Sequence, residues 1–273
     1  MKKKIIITLI FFLIILSIYL WARYIETNGL KVKEYKVEAS ITDNFHGLKI
    51  VHFSDLHYGS TIDKNDLKSL VEKINFIKPD IVVFTGDLTD KFDKDSISEI
   101  VTEFNNINVS IGKFAVNGNH DNNTFDEIML NSGFIVLNNT YELIYKSDYK
   151  PILIAGVSSN LLDKNSISDK LKTTYEYMQN NDVVYKILLT HEPDIIDKTN
   201  MFNLVLAGHS HNSQINLPII KDFIKTEGAE NYYLPYYKVN NSDLYISGGL
   251  GTSKLKIRMF NKPSINLYRI VKG

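Results

Sequence analysis

Polar and apolar residues follow one another along this chain in three different rhythms. The first is an unbroken apolar run. IIITLIFFLIILSIYLW, residues 5 to 21, holds no charge and comes directly after Lys2, Lys3 and Lys4. As a helix rising about 1.5 Å per residue it would span roughly 25 Å against a hydrocarbon core of about 30 Å, and its terminal tyrosine and tryptophan suit the interfacial zone. The sequence SIYLWARYIETNG offers no small-x-small cleavage site, so an uncleaved signal anchor is expected ahead of a cleaved signal peptide or a buried core helix. The three leading lysines favour a cytoplasmic amino terminus, which places everything after Trp21 on the outer face of the membrane.

The second rhythm is alternation by two. From Ala22 to about Phe45 the chain is polar, and KVKEYKVEA reads as a linker leading into an edge strand. LKIVHFS (48–54), DIVVFTG (80–86), KFAVNG (113–118), PILIAGV (151–157), YKILLTH (185–191) and FNLVLAGH (202–209) are short apolar runs ending in small or polar residues, as buried strands do. The third rhythm is helical. KNDLKSLVEKINFI, SISEIVTEFNNI and SISDKLKTTYEYMQ space their apolar residues by three and four. Near the end, SDLYISGGLGTSKLKIRMF and PSINLYRIV have no helix between them and read as antiparallel strands. Strands alternating with helices predict an α/β layered fold.

Composition narrows the chemistry. At 273 residues the chain can bury one large core. Lys+Arg and Asp+Glu both number 31, so no net charge draws it to nucleic acid, which is not an expected partner. There is no cysteine, which excludes disulfides, thiolate zinc sites and a cysteine nucleophile. Any metal must be held by histidine, carboxylate, amide or water. No sequence signature bears on oligomeric state.

In open α/β sheets ligands gather outside the carboxyl ends of the strands, and the distinctive polar residues lie there. Asp55 and His57 follow the first such strand, Gly86 and Asp87 the second, and Asn117, Gly118, Asn119, His120 and Asp121 the third. Later strands end in His191 and in Gly208-His209-Ser210-His211. Each motif alone suits an ordinary turn or a hydrogen-bonded core histidine. Five in order, at one edge of an inferred sheet, point to a metal site. A carboxylate shared between two divalent cations holds them about 3.5–4 Å apart, and a water between them ionises near neutral pH, giving a hydroxide for in-line attack on phosphorus.

Taken together, SDLH, TGDL, GNHD, LTHEP and AGHSH resemble the ordered blocks of the calcineurin-like metallophosphoesterases. NFHGLKIVHFSDLHYG and LYISGGLGTSKLKIRMF look like the opening and closing segments of the family's bacterial, membrane-anchored branch. The resemblance implies a four-layer αββα sandwich of two mixed β-sheets flanked by helices, here preceded by an N-terminal transmembrane helix. The implied organisation is a signal anchor over 1–22, a linker and edge strand over 23–44, and a metallophosphoesterase domain over 45–273. It makes Asp55, His57 and His211 ligands of one metal, Asn119, His191 and His209 ligands of the other, and Asp87 the bridge. His120 would stand over the phosphate, with Asp121 orienting its imidazole. His46 and His52 read as structural.

A nitrogen and oxygen donor set suits manganese, iron or zinc, and the higher coordination of a carboxylate-bridged site favours manganese or iron. The implied activity is hydrolysis of a phosphoester, with lipid-linked or cell-envelope phosphodiesters the favoured substrates, by a membrane-anchored enzyme. The alternatives are a secreted phosphomonoesterase or nucleotide phosphatase, and a metal-binding module without turnover. In one place the chain departs from the branch's pattern. Asn212 and Ser213 replace two glycines after the last block, so side chains are expected to intrude on the pocket. The tyrosine-rich stretch 219–241 reads either as a substrate-covering flap or as a packed loop.

Overall fold

A computed structural model describes residues 1–147, 149–217, 226–253 and 255–273. Residues 219–225 of the tyrosine-rich stretch lie outside the described residues. The apolar run forms helix α1, Lys2–Leu20, which continues into one π-helical turn at Trp21–Ile25. Together they are long and apolar enough to cross a membrane, and α1 buries none of its residues against the rest of the chain.

The alternating segment KVKEYKVEA becomes β1, Lys31–Ala39. Then follow β2 (Leu48–Phe53), α2 (Lys64–Ile77), β3 (Ile81–Thr85), α3 (Lys94–Asn105), β4 (Gly112–Val116), α4 (Phe125–Asn131), β5 (Ile135–Val136) and β6 (Thr140–Ile144). The second half supplies β7 (Ile152–Gly156), α5 (Ile167–Lys170), α6 (Lys172–Asn180), β8 (Tyr185–Leu189), β9 (Leu204–Ala207), β10 (Tyr236–Val239), β11 (Ser242–Ile246) and β12 (Ser264–Lys272). Local chemistry sets the helix limits. Asp63 accepts from the N–H groups of Asn65 and Asp66, while Asp66 accepts from the Asp63 N–H, a reciprocal cap on α2. Lys78, left-handed at φ 53°, ends that helix.

Two six-stranded mixed sheets result, in the orders β1-β12-β2-β3-β4-β5 and β10-β11-β9-β8-β7-β6. In the first, β12 runs antiparallel to β2 and the other pairs are parallel. In the second, the outer pairs β10·β11 and β6·β7 are antiparallel. Three apolar clusters fill the spaces of a four-layer sandwich. Period-two alternation divides them: in β2, Ile50 faces the second sheet while Val51 and Phe53 face α2 and α3. Leu153, Leu188 and Val205 pack outward against the α5–α6 side. Each such fully buried side chain contributes about 1.5–3 kcal/mol.

Two segments differ from their sequence reading. The helix expected over SISDKLKTTYEYMQ is broken at Leu171 into α5 and α6. The last two strands do not pair with each other, because residues 247–263 carry the chain from β11 in the second sheet across to β12 in the first. That crossing runs over the end of the sandwich where the polar strand ends meet.

Candidate metal centre

The polar motifs follow β2, β3, β4, β8 and β9, which run parallel to their motif-bearing neighbours within each sheet and open at one end of the sandwich. The chain turns there through unfavourable backbone. Asp55, His57, Asp87, His209 and His211 all have positive φ, between 42° and 67°. Such conformations cost on the order of 1–3 kcal/mol each, and they persist where surrounding contacts enforce them. Gly118 allows the GNHD turn to lie across Asp87. A Cβ there would sit 2.3 Å from Asp87 Oδ1 and 2.8 Å from His191 Cε1.

Two buried triads emerge, Asp55–His57–His211 and Asp87–His191–His209, each with its donor atoms within 4.8 Å of one another. The outer nitrogens of three imidazoles are committed elsewhere. His57 Nδ1 donates to Asp90 Oδ1 (2.9 Å), His191 Nδ1 to the Thr85 carbonyl (2.7 Å) and His209 Nε2 to the Glu227 carbonyl (2.8 Å). In a neutral imidazole the inner nitrogens are then bare lone pairs. His191 Nε2 and His209 Nδ1 stand 3.2 Å apart, with Asn119 Oδ1 3.1 Å from the former, and His57 Nε2 is buried without a hydrogen-bond partner. Inner nitrogens facing one another this closely share either a proton or a metal cation. Metal bonds of about 2.0–2.2 Å leave ligand atoms roughly 3–3.5 Å apart, so the spacing fits the group. His211 differs: Arg258 Nη2 lies 3.4 Å from its Nδ1, and its Nε2 faces Asp55 Oδ1 at 3.3 Å.

Asp87 stands between the triads. Its Oδ2 lies 3.5 Å from His57 Nε2 and 3.3 Å from His191 Nε2, while Oδ1 accepts the His120 N–H at 2.9 Å. Burial would push its carboxyl up, but His191 and His57 hold it well below the usual carboxylate range. The same pairings act in reverse on the imidazoles. Burial pulls His57 and His191 down, and the facing carboxylates, Asp90 and Asp87, more than offset it. Burial instead leaves His211 at about 3 and lowers His209.

His120 is exposed at the rim, its ring edge-on to that of His57 with centroids 5.2 Å apart. Asp121 does not orient that imidazole. Its carboxylate accepts from the main-chain N–H groups of Gly118 (2.7 Å), Asp87 (2.9 Å) and Leu88 (2.8 Å). It therefore ties the β3 and β4 turns together, and burial beside Asp87 pushes its carboxyl up to about 7. His52 is buried between the sheets, with Thr85 Oγ1 at 2.8 Å, and His46 Nδ1 accepts the Lys272 N–H at 3.2 Å. Neither reaches the triads.

A cavity of about 510 Å³ opens over Asp87, Asn119, His120, His209 and His211. Leu161, Ile215 and Leu255 give it an apolar wall. The expected intrusion of Asn212 and Ser213 is half realised: Ser213 lines the cavity, whereas the buried Asn212 amide turns away to the Ile246 carbonyl. Both have positive φ, 50° and 57°, which is the backbone reason glycine suits these places. Three tyrosines within the described part of 219–241 pack away from the cavity, Tyr232 on Tyr237 and Tyr236 on Tyr245.

Sequence reasoning missed Asp90, Arg258 and Asn261. Asp90 had a signal, a carboxylate three residues beyond Asp87 in the same turn. The other two reach the His211 loop from far along the chain.

Comparison with known proteins agrees with this geometry. Residues 48–213 match the family model described as calcineurin-like phosphoesterase. The metallophosphoesterase YkuE of Bacillus subtilis is 32% identical over 261 residues, covering 92% of this chain and 89% of that protein. The UDP-2,3-diacylglucosamine pyrophosphatase LpxG of Chlamydia muridarum is 27% identical over 309 residues, covering 92% of each. Among solved structures, the Thermus thermophilus sulfate thiohydrolase SoxB shares the fold at a TM-score of 0.51 and 12% identity, over 82% of this chain and 56% of that one. This chain thus spans little more than half of that structure. With its motifs gathered on one end of a two-sheet sandwich, the chain belongs to the calcineurin-like phosphoesterases, metal-dependent hydrolases of phosphoester bonds.

Proposed function

We propose that this protein is a membrane-anchored phosphohydrolase that holds two divalent cations, manganese, iron or zinc, and cleaves lipid-linked or cell-envelope phosphoesters outside the cytoplasmic membrane. The observation that carries the metal reading is the facing pair of inner nitrogens, His191 Nε2 and His209 Nδ1, 3.2 Å apart, while the outer nitrogen of each ring is bonded to a main-chain carbonyl. Asp55, His57 and His211 would hold one ion, Asn119, His191 and His209 the other, with Asp87 between the two groups. Bound there, the cations would supply Lewis acidity, activating water for attack on a phosphoester and neutralising charge on its oxygens. His120, at the exposed rim, stabilises charge on the phosphoryl group or protonates the leaving oxygen. Asp121 supports it indirectly by fixing the turn it stands on.

Three observations favour a lipid-linked substrate. The wall of Leu161, Ile215 and Leu255 offers apolar surface beside the metal donors. Helix α1 with the turn after it is long and apolar enough to cross a bilayer. The relative LpxG is named for an acylated sugar nucleotide. The full chain in detergent, stripped of metal and reloaded with manganese, iron(II) or zinc, is expected to turn over only when reloaded, and to prefer an acylated diphosphate or phosphodiester to a soluble monoester. Two bound metals without turnover on any ester would sink the enzymatic reading. Preference for nucleotides or small monoesters would replace the substrate class. Protease shaving of intact cells tests the outer-face topology: the domain is expected to be digested while the amino-terminal lysines stay protected.

A further inference from the structure

One turn of the chain has two unlike faces. Residues 255–261 lie between β11 and β12, and their inner face is buried and polar. Arg258 is fully buried: Nη1 donates to the carbonyls of Gly248 (2.9 Å) and Asn261 (3.0 Å), and Nη2 to that of Gly251 (2.6 Å). Asn261 Nδ2 donates to the His211 carbonyl, and Gln214 Nε2 to those of Leu255 and Ile257. The inner face thus grips the loop that carries His211.

The outer face is apolar and points away. Leu255 is 56% exposed and Phe260 62% exposed. Phe260 holds a positive φ of 55°, an outlier for so bulky a side chain. Backbone strain of this kind is maintained at functional positions, and here its effect is to turn an aromatic ring outward. The ring meets the end of the membrane helix: the Phe260 and Trp21 centroids are 5.3 Å apart, and the Arg258 N–H donates to the Ala22 carbonyl at 3.0 Å. Tyr24 and Ile25, next along the chain, are also more than half exposed. Arg23, Lys256 and Lys262 border these apolar groups, and Glu26, the acid beside them, is buried.

Aromatic rings with long cations at their margin, continuous with the end of an apolar helix, are the composition of a membrane–water interface. We infer that the turn 255–261 is a second bilayer contact, Phe260 entering the interfacial zone beside Trp21. This rests on reading α1 as a membrane anchor and adds to it a fixed orientation. Leu255 belongs both to this face and to the cavity wall, so the bilayer meets the mouth of the cavity. An acylated substrate then reaches the metal donors without leaving the lipid surface.

Trp21 is the single tryptophan, so Trp21→Phe gives a silent background. In that background the full chain would carry Phe12→Trp, Phe260→Trp or Phe76→Trp and be reconstituted into vesicles whose acyl chains bear bromine. Phe76 is 84% exposed on the last turn of α2, at the opposite end of the sheet from the metal donors. Emission is expected to be lost with Phe12→Trp under deep bromines and with Phe260→Trp under shallow ones, with none lost for Phe76→Trp. Quenching at position 12 without quenching at 260 overturns the bilayer contact and leaves the anchor standing. No quenching at either overturns both. Equal quenching at 260 and 76 also overturns it, since contact would not be confined to this face. If Phe260→Trp does not fold, Phe260→Cys in this cysteine-free chain, carrying a nitroxide, supplies the same reading through its accessibility to membrane-dissolved oxygen.

Discussion

The two sheets contribute to the site in different currencies. The first delivers charge: Asp55, Asp87, and behind them Asp90 and Asp121, all follow β2, β3 or β4. The second delivers imidazoles, His191, His209 and His211, from the ends of β8 and β9. Neither half completes a triad, because His211 must meet Asp55 and His57 across the sandwich just as His191 and His209 must meet Asp87. The inner apolar layer, Phe114 and Ile50 against Ile154 and Leu206, therefore aligns donors that no single sheet could assemble. Metal affinity in this arrangement depends on the packing between sheets as much as on the ligands.

Removing the shared charge should break the comparison most severely. Asp87→Ala is expected to lower activity by about 10³-fold or more and to reduce metal at both positions, read by elemental analysis beside the assay. A variant that keeps a full metal complement would show that the halves bind independently. Asp90→Asn sharpens the contrast, because it touches only the first-sheet side. The His57 Nδ1 proton loses its carboxylate, and metal affinity or activity should fall about 10–100-fold. An unchanged affinity would mean that the buried ring holds its orientation without Asp90.

Acidity tests the same division more gently. In the metal-free chain His57 and His191 keep their protons to higher pH than ordinary imidazoles, since Asp90 and Asp87 oppose the effect of burial. Each incoming cation must displace such a proton, so affinity should weaken as pH falls, beginning above the ordinary imidazole range, with protons released on binding. Titration calorimetry in buffers of different ionisation heat measures that release. His211, kept neutral down to about 3 by burial, should add nothing to the slope. The smallest effect expected is at the loop after His211. Ser213→Gly relieves a positive φ and should stabilise the fold by about 0.5–1 kcal/mol, whereas Asn212→Gly also loses the bond to the Ile246 carbonyl and should be near neutral. Thermal melting of the two variants side by side distinguishes them.

What could be read from sequence follows how far each contact reaches. Strand ends were legible because period-two runs stop at polar residues, and α2 was legible over its whole length, Lys64–Ile77. The gathering of Asp55, Asp87, Asn119, His191, His209 and His211 at one end followed from motif order together with the crevice rule for α/β sheets. Side-chain partners were not legible in the same way. Asp121 looked like a support for its neighbour His120, yet its oxygens go to amides of a turn more than thirty residues earlier. Arg258 sits in a stretch whose composition suggests a strand and Asn261 just beyond it, and their contact with the His211 loop exists only because residues 247–263 cross between sheets. Tyr236 and Tyr237, ambiguous as part of a flap, became legible only once β11 stood beside them as a partner.

The place of β12 has a consequence for when the protein becomes functional. Strand β12 is inserted between β1 and β2, so the first sheet stays open until this strand, which follows all the motif-bearing ones, has joined. Arg258 and Asn261, which brace the His211 loop, also come late. Closing the first sheet and bracing the His211 loop are therefore one event, since the same crossing segment does both.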